Sequence, residues 1–168
     1  LDTVECYDPT SGQYSSCKPM TEPRAQFAAT AMGGKLYVCG GFNMTGTLDS
    51  VECYDPESNT WTQLTPLSCK RQGLVVCGVG NKLYAMGGTM DGNNGEALVF
   101  IACPGVETCE CYDVEKNSWS AVSSMKVKRH DGAGCVIGKK VYLFGGLSGY
   151  VTTSVECYDT GKLWVRFR

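Results

Sequence analysis

The chain has 168 residues, a net charge of −2 and 19% charged residues, with no basic stripe, which argues against nucleic acid as a partner. No run of 18 apolar residues occurs, so no membrane-spanning helix is expected. Eleven cysteines stand against a single histidine, without a Cys-x-x-Cys pair or a second imidazole, so neither a metal nor another cofactor is expected.

In chain order, the first element is a half unit over residues 1–20. It contains the tetrapeptide Glu-Cys-Tyr-Asp at 5–8, and nine residues after Glu5 comes Tyr14. The tetrapeptide returns at 52–55, 110–113 and 156–159. The same nine-residue step leads from Glu52 to Trp61 and from Glu110 to Trp119; from Glu156 to Trp164 it is eight. Ten residues then lead to Arg24, Arg71 and Arg129, and sixteen more to the glycine pairs Gly40-Gly41, Gly87-Gly88 and Gly145-Gly146. A fixed register of this size identifies an internal repeat. It divides the chain into a half unit (1–20), a unit (21–67), a unit with a long insert (68–125) and a final unit (126–168).

Each full unit holds four short strand candidates, here named a to d. In the first they cover 26–32, 36–40, 50–54 and 60–64. Gly33-Gly34 forms a two-residue hairpin signal between a and b. The segment Asp-Pro-Glu-Ser-Asn at 55–59 is a turn between c and d. Apolar stretches such as Val141, Leu143 and Phe144 suit a strand buried on both faces. No amphipathic helix is visible. Four antiparallel strands per period of roughly 40–50 residues make a β-propeller blade.

The recurring set Arg24…Leu36-Tyr37…Gly40-Gly41…Val51…Tyr54…Trp61, repeated around Tyr112 and Trp119 and again around Tyr158 and Trp164, resembles the Kelch repeat. The wording Glu-Cys-Tyr-Asp is most similar to the Kelch domains of BTB–Kelch proteins. The resemblance implies an all-β propeller of four-stranded blades, about three and a half of which lie in this chain out of about six. A ring of that kind has typically about 4–8 blades. A first unit that starts on c is consistent with a ring whose first blade borrows its inner strands from the far terminus.

The shared residues carry a packing role independent of family. Gly40, Gly41, Gly87, Gly88, Gly145 and Gly146 permit close backbone approach, and Tyr54, Trp61, Tyr112, Trp119, Tyr158 and Trp164 fill space between blades. The three arginines recur in the same way. Glu5, Glu52, Glu110 and Glu156 are scaffold positions and poor catalytic candidates. No catalytic set is visible, and an enzyme is not expected. Cysteines at repeat positions (Cys6, Cys53, Cys111, Cys157) read as small buried residues, and their scatter fits a reducing cytoplasm, with the nucleus or cytoskeleton as variants.

Function is expected where the copies differ. The d-to-a and b-to-c connections emerge on one face of the disc, and the b-to-c connection absorbs the length changes. The candidate partner-binding residues there are Arg24, Gln26, Phe42, Asn43, Arg71, Gln72, Met90, Asp91, Arg129, His130 and Tyr150. The resemblance implies a protein-interaction module, the substrate-recognition domain of a cullin-RING ubiquitin ligase adaptor, with the cullin held by domains outside this chain. An actin- or cytoskeleton-binding scaffold is the alternative, and a propeller enzyme a remote one. The second unit's insert contains seven consecutive apolar residues at 97–103, and deletion of about 97–106 is expected to leave the fold intact.

Overall fold

The computed structural model describes residues 1–90 and 105–167. Asp91 and the apolar insert at 97–103 lie outside the described residues. Among the described residues there are strands and turns and no helix, and no helix is long and apolar enough to cross a membrane.

Two strands, β1 (Val4–Asp8) and β2 (Gln13–Cys17), form an isolated antiparallel pair. Three four-stranded antiparallel sheets follow. The first runs β3 (Ala28–Met32), β4 (Lys35–Cys39), β7 (Val51–Asp55) and β8 (Thr60–Leu64). A small hairpin, β5 (Phe42–Asn43) and β6 (Gly46–Thr47), projects from its b-to-c connection. The second sheet is β9 (Val75–Val79), β10 (Lys82–Met86), β11 (Cys109–Asp113) and β12 (Ser118–Val122). The third is β13 (Ala133–Ile137), β14 (Lys140–Phe144), β15 (Val155–Asp159) and β16 (Trp164–Phe167). The inner strands β3, β9 and β13 lie side by side in that order. This is a partial β-propeller.

The first strand of each blade begins later than its sequence pattern suggests, at Ala28 rather than residue 26. Gln26 has φ 48°, a left-handed conformation that cannot continue an extended strand. Gly33 and Gly34 both have positive φ, 59° and 74°, as a type I′ hairpin requires.

Register explains the tetrapeptide. In every full blade the Tyr of the b strand stands opposite the Cys of the c strand, in the pairs Tyr37–Cys53, Tyr84–Cys111 and Tyr142–Cys157. The Tyr of the c strand stands opposite the d-strand aromatic. Ring centroids are 5.0 Å apart for Tyr54–Trp61, 5.2 Å for Tyr112–Trp119 and 5.1 Å for Tyr158–Trp164. The one-residue deletion in the last blade therefore falls in the turn and leaves the aromatic pair in register. Gly161 (φ 92°) turns the shortened connection.

The core lies between blades. Cys39, Val51, Leu74, Val76, Leu83, Ala85 and Tyr112 form one cluster across the first two full blades. Met86, Cys109, Val141, Leu143, Tyr158 and Trp164 form the next. The side chains of each blade also grip the blade before it. Trp61 Nε1 donates to Lys18 O at 2.8 Å, Trp119 Nε1 to Thr65 O at 2.9 Å and Trp164 Nε1 to Ser123 O at 2.7 Å.

Two turn asparagines reinforce this grip. Asn117, at φ 47°, accepts on Oδ1 from Tyr112 Oη of its own blade (2.7 Å) and from Thr65 N of the preceding one (3.2 Å). Asn59 repeats the arrangement with Tyr54 and Lys18 N. Replacing Asn117 by Gly keeps the left-handed backbone and removes the acceptor. A loss of about 1–2 kcal/mol is expected, from two orphaned donors partly rescued by water. A chemical denaturation midpoint equal to that of the parent would refute it.

The segment entering β11 constrains the expected deletion of 97–106. Val106 N donates to Gly88 O at 2.9 Å, and Arg129 N donates to Val106 O. A Cβ on Gly105 would lie 2.6 Å from the Arg129 carbonyl carbon. Gly105 and Val106 thus belong to the blade frame, and a tolerated deletion has to stop before them.

Candidate functional site

The loop face is built on a repeated buried ion pair. Arg24 Nη2 contacts Glu52 Oε1 at 2.6 Å, with both side chains fully excluded from solvent. Arg129 Nη2 and Glu156 Oε1 are 2.7 Å apart, and Arg71 Nη2 and Glu110 Oε1 are 3.1 Å apart. Each arginine also donates from Nη1 to the carbonyl of its blade's first glycine: Gly40 (2.7 Å), Gly87 (3.1 Å) and Gly145 (2.8 Å). The carboxylate holds the d-to-a connection from below. Glu52 Oε2 accepts from Thr21 N and Oγ1, Glu110 Oε2 from Ser68 N, and Glu156 from the amides of Lys126 and Val127. The pair is tightest where a serine lies two residues before the acid. Ser50 and Ser154 each accept on Oγ from the arginine, at 3.1 and 2.9 Å. Thr108 takes that place in the looser middle blade; its backbone carbonyl accepts from Arg71 Nη1, as those of Ser50 and Ser154 do from Arg24 and Arg129.

The arginine backbone links blades. Gly41 N donates to Arg71 O at 2.8 Å and Gly88 N to Arg129 O at 2.9 Å. One residue past each arginine, Ala25, Gln72 and His130 bridge to Phe42, Thr89 and Leu147 after the glycine pair. Two residues past it, Gln26, Gly73 and Asp131 are all left-handed, at φ 48°, 61° and 51°. Gly73 N donates to Gln26 O at 2.9 Å, and Asp131 N donates to Gly73 O at 2.8 Å. A backbone hydrogen-bond chain therefore runs from blade to blade along the mouth of the disc.

This geometry corrects part of the sequence reading. Arg24, Arg71, Arg129 and His130, taken from sequence as members of the partner-binding face, are only 2–3% exposed. The arginine heads are directed into their own blades by the glutamates. His130 Nδ1 is 2.8 Å from Asp131 Oδ2, which turns its ring edge to a neighbouring side chain. Gln26 is exposed, as are Met90 and Tyr150, the last at 71%. Phe42, Asn43 and Gln72 are half-buried. Asn43 Oδ1 accepts from Thr45 N and Oγ1, which shapes the β5–β6 hairpin, and its Nδ2 donates to Glu22 Oε1 at 3.2 Å. Gln72 Oε1 accepts from Thr47 Oγ1 of the preceding blade at 3.3 Å. The hairpin tip, Met44, follows Phe42 and Asn43 among the copy-specific residues after the glycine pair and is fully exposed.

The chemistry of the remaining groups is that of a scaffold. Burial pushes the thiols of Cys39 and Cys109 up to about 12 and that of Cys77 to about 11, far from the range of a nucleophile. The cysteines of the described residues are free thiols. Among the described residues no group of three or more His, Cys, Asp or Glu side chains could hold a metal ion.

Comparison with known proteins agrees with this architecture. The Kelch motif matches at residues 23–68, 70–126 and 128–166. An influenza virus NS1A-binding protein homolog of Mus musculus is 51% identical over 43 residues, 26% of this chain and 7% of that protein. The Kelch repeat-containing protein kel-10 of Caenorhabditis elegans is 34% identical over 77 residues, 42% of this chain and 13% of that protein. Human Kelch-like protein 4 is 37% identical over 62 residues, 36% of this chain and 9% of that protein. The chain thus spans only a small part of these curated relatives. A solved structure of YjhT superposes with a TM-score of 0.78 at 19% identity, over 93% of this chain and 55% of that one, a likeness of fold. With three matching motifs covering most of its length, the chain belongs to the Kelch-repeat family, whose repeats build protein–protein interaction modules.

Proposed function

We propose that the loop face captures a segment of a protein partner, and that the chain is the substrate-recognition part of a cullin-RING ubiquitin ligase adaptor. The observation that carries the reading is a division of labour between positions. In the three full blades the recurring arginines, glutamates and c-strand tyrosines are buried, whereas copy-specific apolar tips (Met44, Met90 and Tyr150) stand exposed on the connections of one face. Large apolar and aromatic side chains among polar neighbours are the composition of a contact surface. The similarity of segments to Kelch-like protein 4 and to proteins named for binding influenza NS1A supports a protein partner. Free thiols support a reducing compartment, the cytoplasm.

The test uses the full protein carrying these residues. Changing Gln26, Met90 and Tyr150 together to Ala is expected to reduce partner recovery in a pull-down at least tenfold. The melting temperature should move by no more than about 2 °C, because the three side chains are exposed. Undiminished recovery would reject the face. Co-purification with a cullin tests the adaptor role, and co-sedimentation with actin filaments in its absence would replace that role with a cytoskeletal one.

A further inference from the structure

The connection that forms β5 and β6 is braced from three sides. It pairs at two positions, Phe42–Thr47 and Asn43–Gly46, and leaves Met44 and Thr45 as its turn. Phe42 exchanges both backbone hydrogen bonds with Ala25, at 2.9 Å each, and Leu48 N donates to Gly41 O at 2.8 Å. Thr47 Oγ1 donates to Gln72 Oε1 of the next blade. Among the described residues no other connection of the loop face contains a two-stranded sheet.

The third brace is an acid special to this blade. Glu22 stands two residues before Arg24, where the other blades have Cys69 and Val127. Its Oε1 accepts from Asn43 Nδ2 at 3.2 Å, and its Oε2 accepts from Ser50 Oγ and lies 3.5 Å from Arg24 Nη2. Asn43 in turn holds the tip, accepting on Oδ1 from Thr45 N and Oγ1 at 2.8 and 2.7 Å. Arg24 already meets Glu52, so Glu22 is not needed to neutralise it. What Glu22 adds is a fixed point for the hairpin. At the end of this chain of contacts Met44 is 105% exposed, so no part of its own molecule covers it. Residues 41–48 carry no charge.

We propose that Met44 is a preformed anchor that enters an uncharged apolar cleft on a folded protein, and that Glu22 is its positioning residue. The inference rests on the reading that the loop face binds a protein. A braced turn presents its tip with the backbone already ordered, which lowers the entropy lost on binding. The unbranched, polarizable thioether of methionine adapts to an irregular apolar wall. The projection of the side chain selects a cleft. An extended segment laid across the face covers one side of a projecting residue, whereas full burial needs walls around it. The neutrality of the hairpin selects the lining, because a charge in the cleft would be desolvated with no counter-charge to meet it.

The test uses the full protein and the purified partner whose recovery depends on Gln26, Met90 and Tyr150, titrated by calorimetry. Met44→Ala and Met44→Gln should each weaken binding at least about tenfold, and Met44→Leu by less than about threefold. The Met44→Ala loss should be the same at low and high salt, since no charge is involved. Glu22→Ala should weaken binding at least about fivefold, whereas Glu22→Gln, whose amide oxygen still accepts from Asn43, should restore most of the affinity. In the Met44→Ala background Glu22→Ala should have no further effect, a result that a general loss of structure would not give. Without partner, Glu22→Ala should speed amide exchange at Thr45 at least about fivefold. A partner that needs Gln26, Met90 and Tyr150 but tolerates Met44→Ala overturns this inference and leaves the loop-face reading standing. Equal losses from Met44→Leu and Met44→Gln, additive effects of Glu22→Ala and Met44→Ala, or full affinity for short linear peptides of the partner also overturn it. Absence of any partner that depends on Gln26, Met90 and Tyr150 overturns both.

Discussion

Replacing Arg24 by Ala is expected to cost about 3–5 kcal/mol, because it leaves the Glu52 carboxylate buried without its counter-charge. Both side chains are fully excluded from solvent, so water cannot reach in to substitute. The same change also orphans the Gly40 carbonyl and frees the connection that Glu52 fixes through Thr21. Glu52→Ala should cost a similar amount, with Arg24 then the unpaired charge. The double variant should lose distinctly less than the sum of the two, which is the signature of a direct pair. Arg71→Ala should be the mildest of the three arginine changes. Its contact with Glu110 is longer, and no serine hydroxyl joins it. Denaturation midpoints at constant slope, followed by tryptophan emission, rank the three. An equal, sub-kilocalorie effect at all three sites would contradict the buried-pair account.

Gly40→Ala should be nearly as damaging, at about 3 kcal/mol or more, since overpacking adds to left-handed strain. The added Cβ would lie 2.4 Å from Arg71 O, a backbone atom of the next blade that cannot rotate away. Gly41 N already donates to that carbonyl, so the two blades would have to part. Gly87→Ala repeats the situation at 2.5 Å from Arg129 O. Gly145→Ala is the internal control. Its Cβ would meet only Thr152 O, at 3.3 Å, leaving mainly the left-handed strain of about 1 kcal/mol. Three equal losses would show that backbone strain alone sets the cost and that the blade contact contributes nothing.

The blade count, strand order and packing role of the aromatics were legible because they are properties of register. Cys-Tyr-Asp and Trp recur at fixed spacing, and a two-residue side-chain period converts spacing into a face. The Arg–Glu pair was less legible, although both members recur. Its separation changes from 28 to 39 to 27 residues, because the variable connection lies between them. Only tertiary structure shows that this connection is a detour around a constant contact. For the same reason the arginines were assigned to the loop face: they sit on its connections, but position along the chain does not reveal that the heads turn inward. Gln26 and Asp131 had no signal for their left-handed backbone, since the equivalent glycine appears only at Gly73. Asn59 and Asn117 form links to another blade, which spacing within one repeat cannot display.

The tryptophan and asparagine grips all point one way, each blade holding the end of the d strand before it. The assembly is therefore polar, like a row of clasped hands. The half blade β1–β2 has its outer end clasped by Trp61 and Asn59. Resistance to unravelling at that blade should therefore follow the direction of the clasps rather than the number of strands in its sheet.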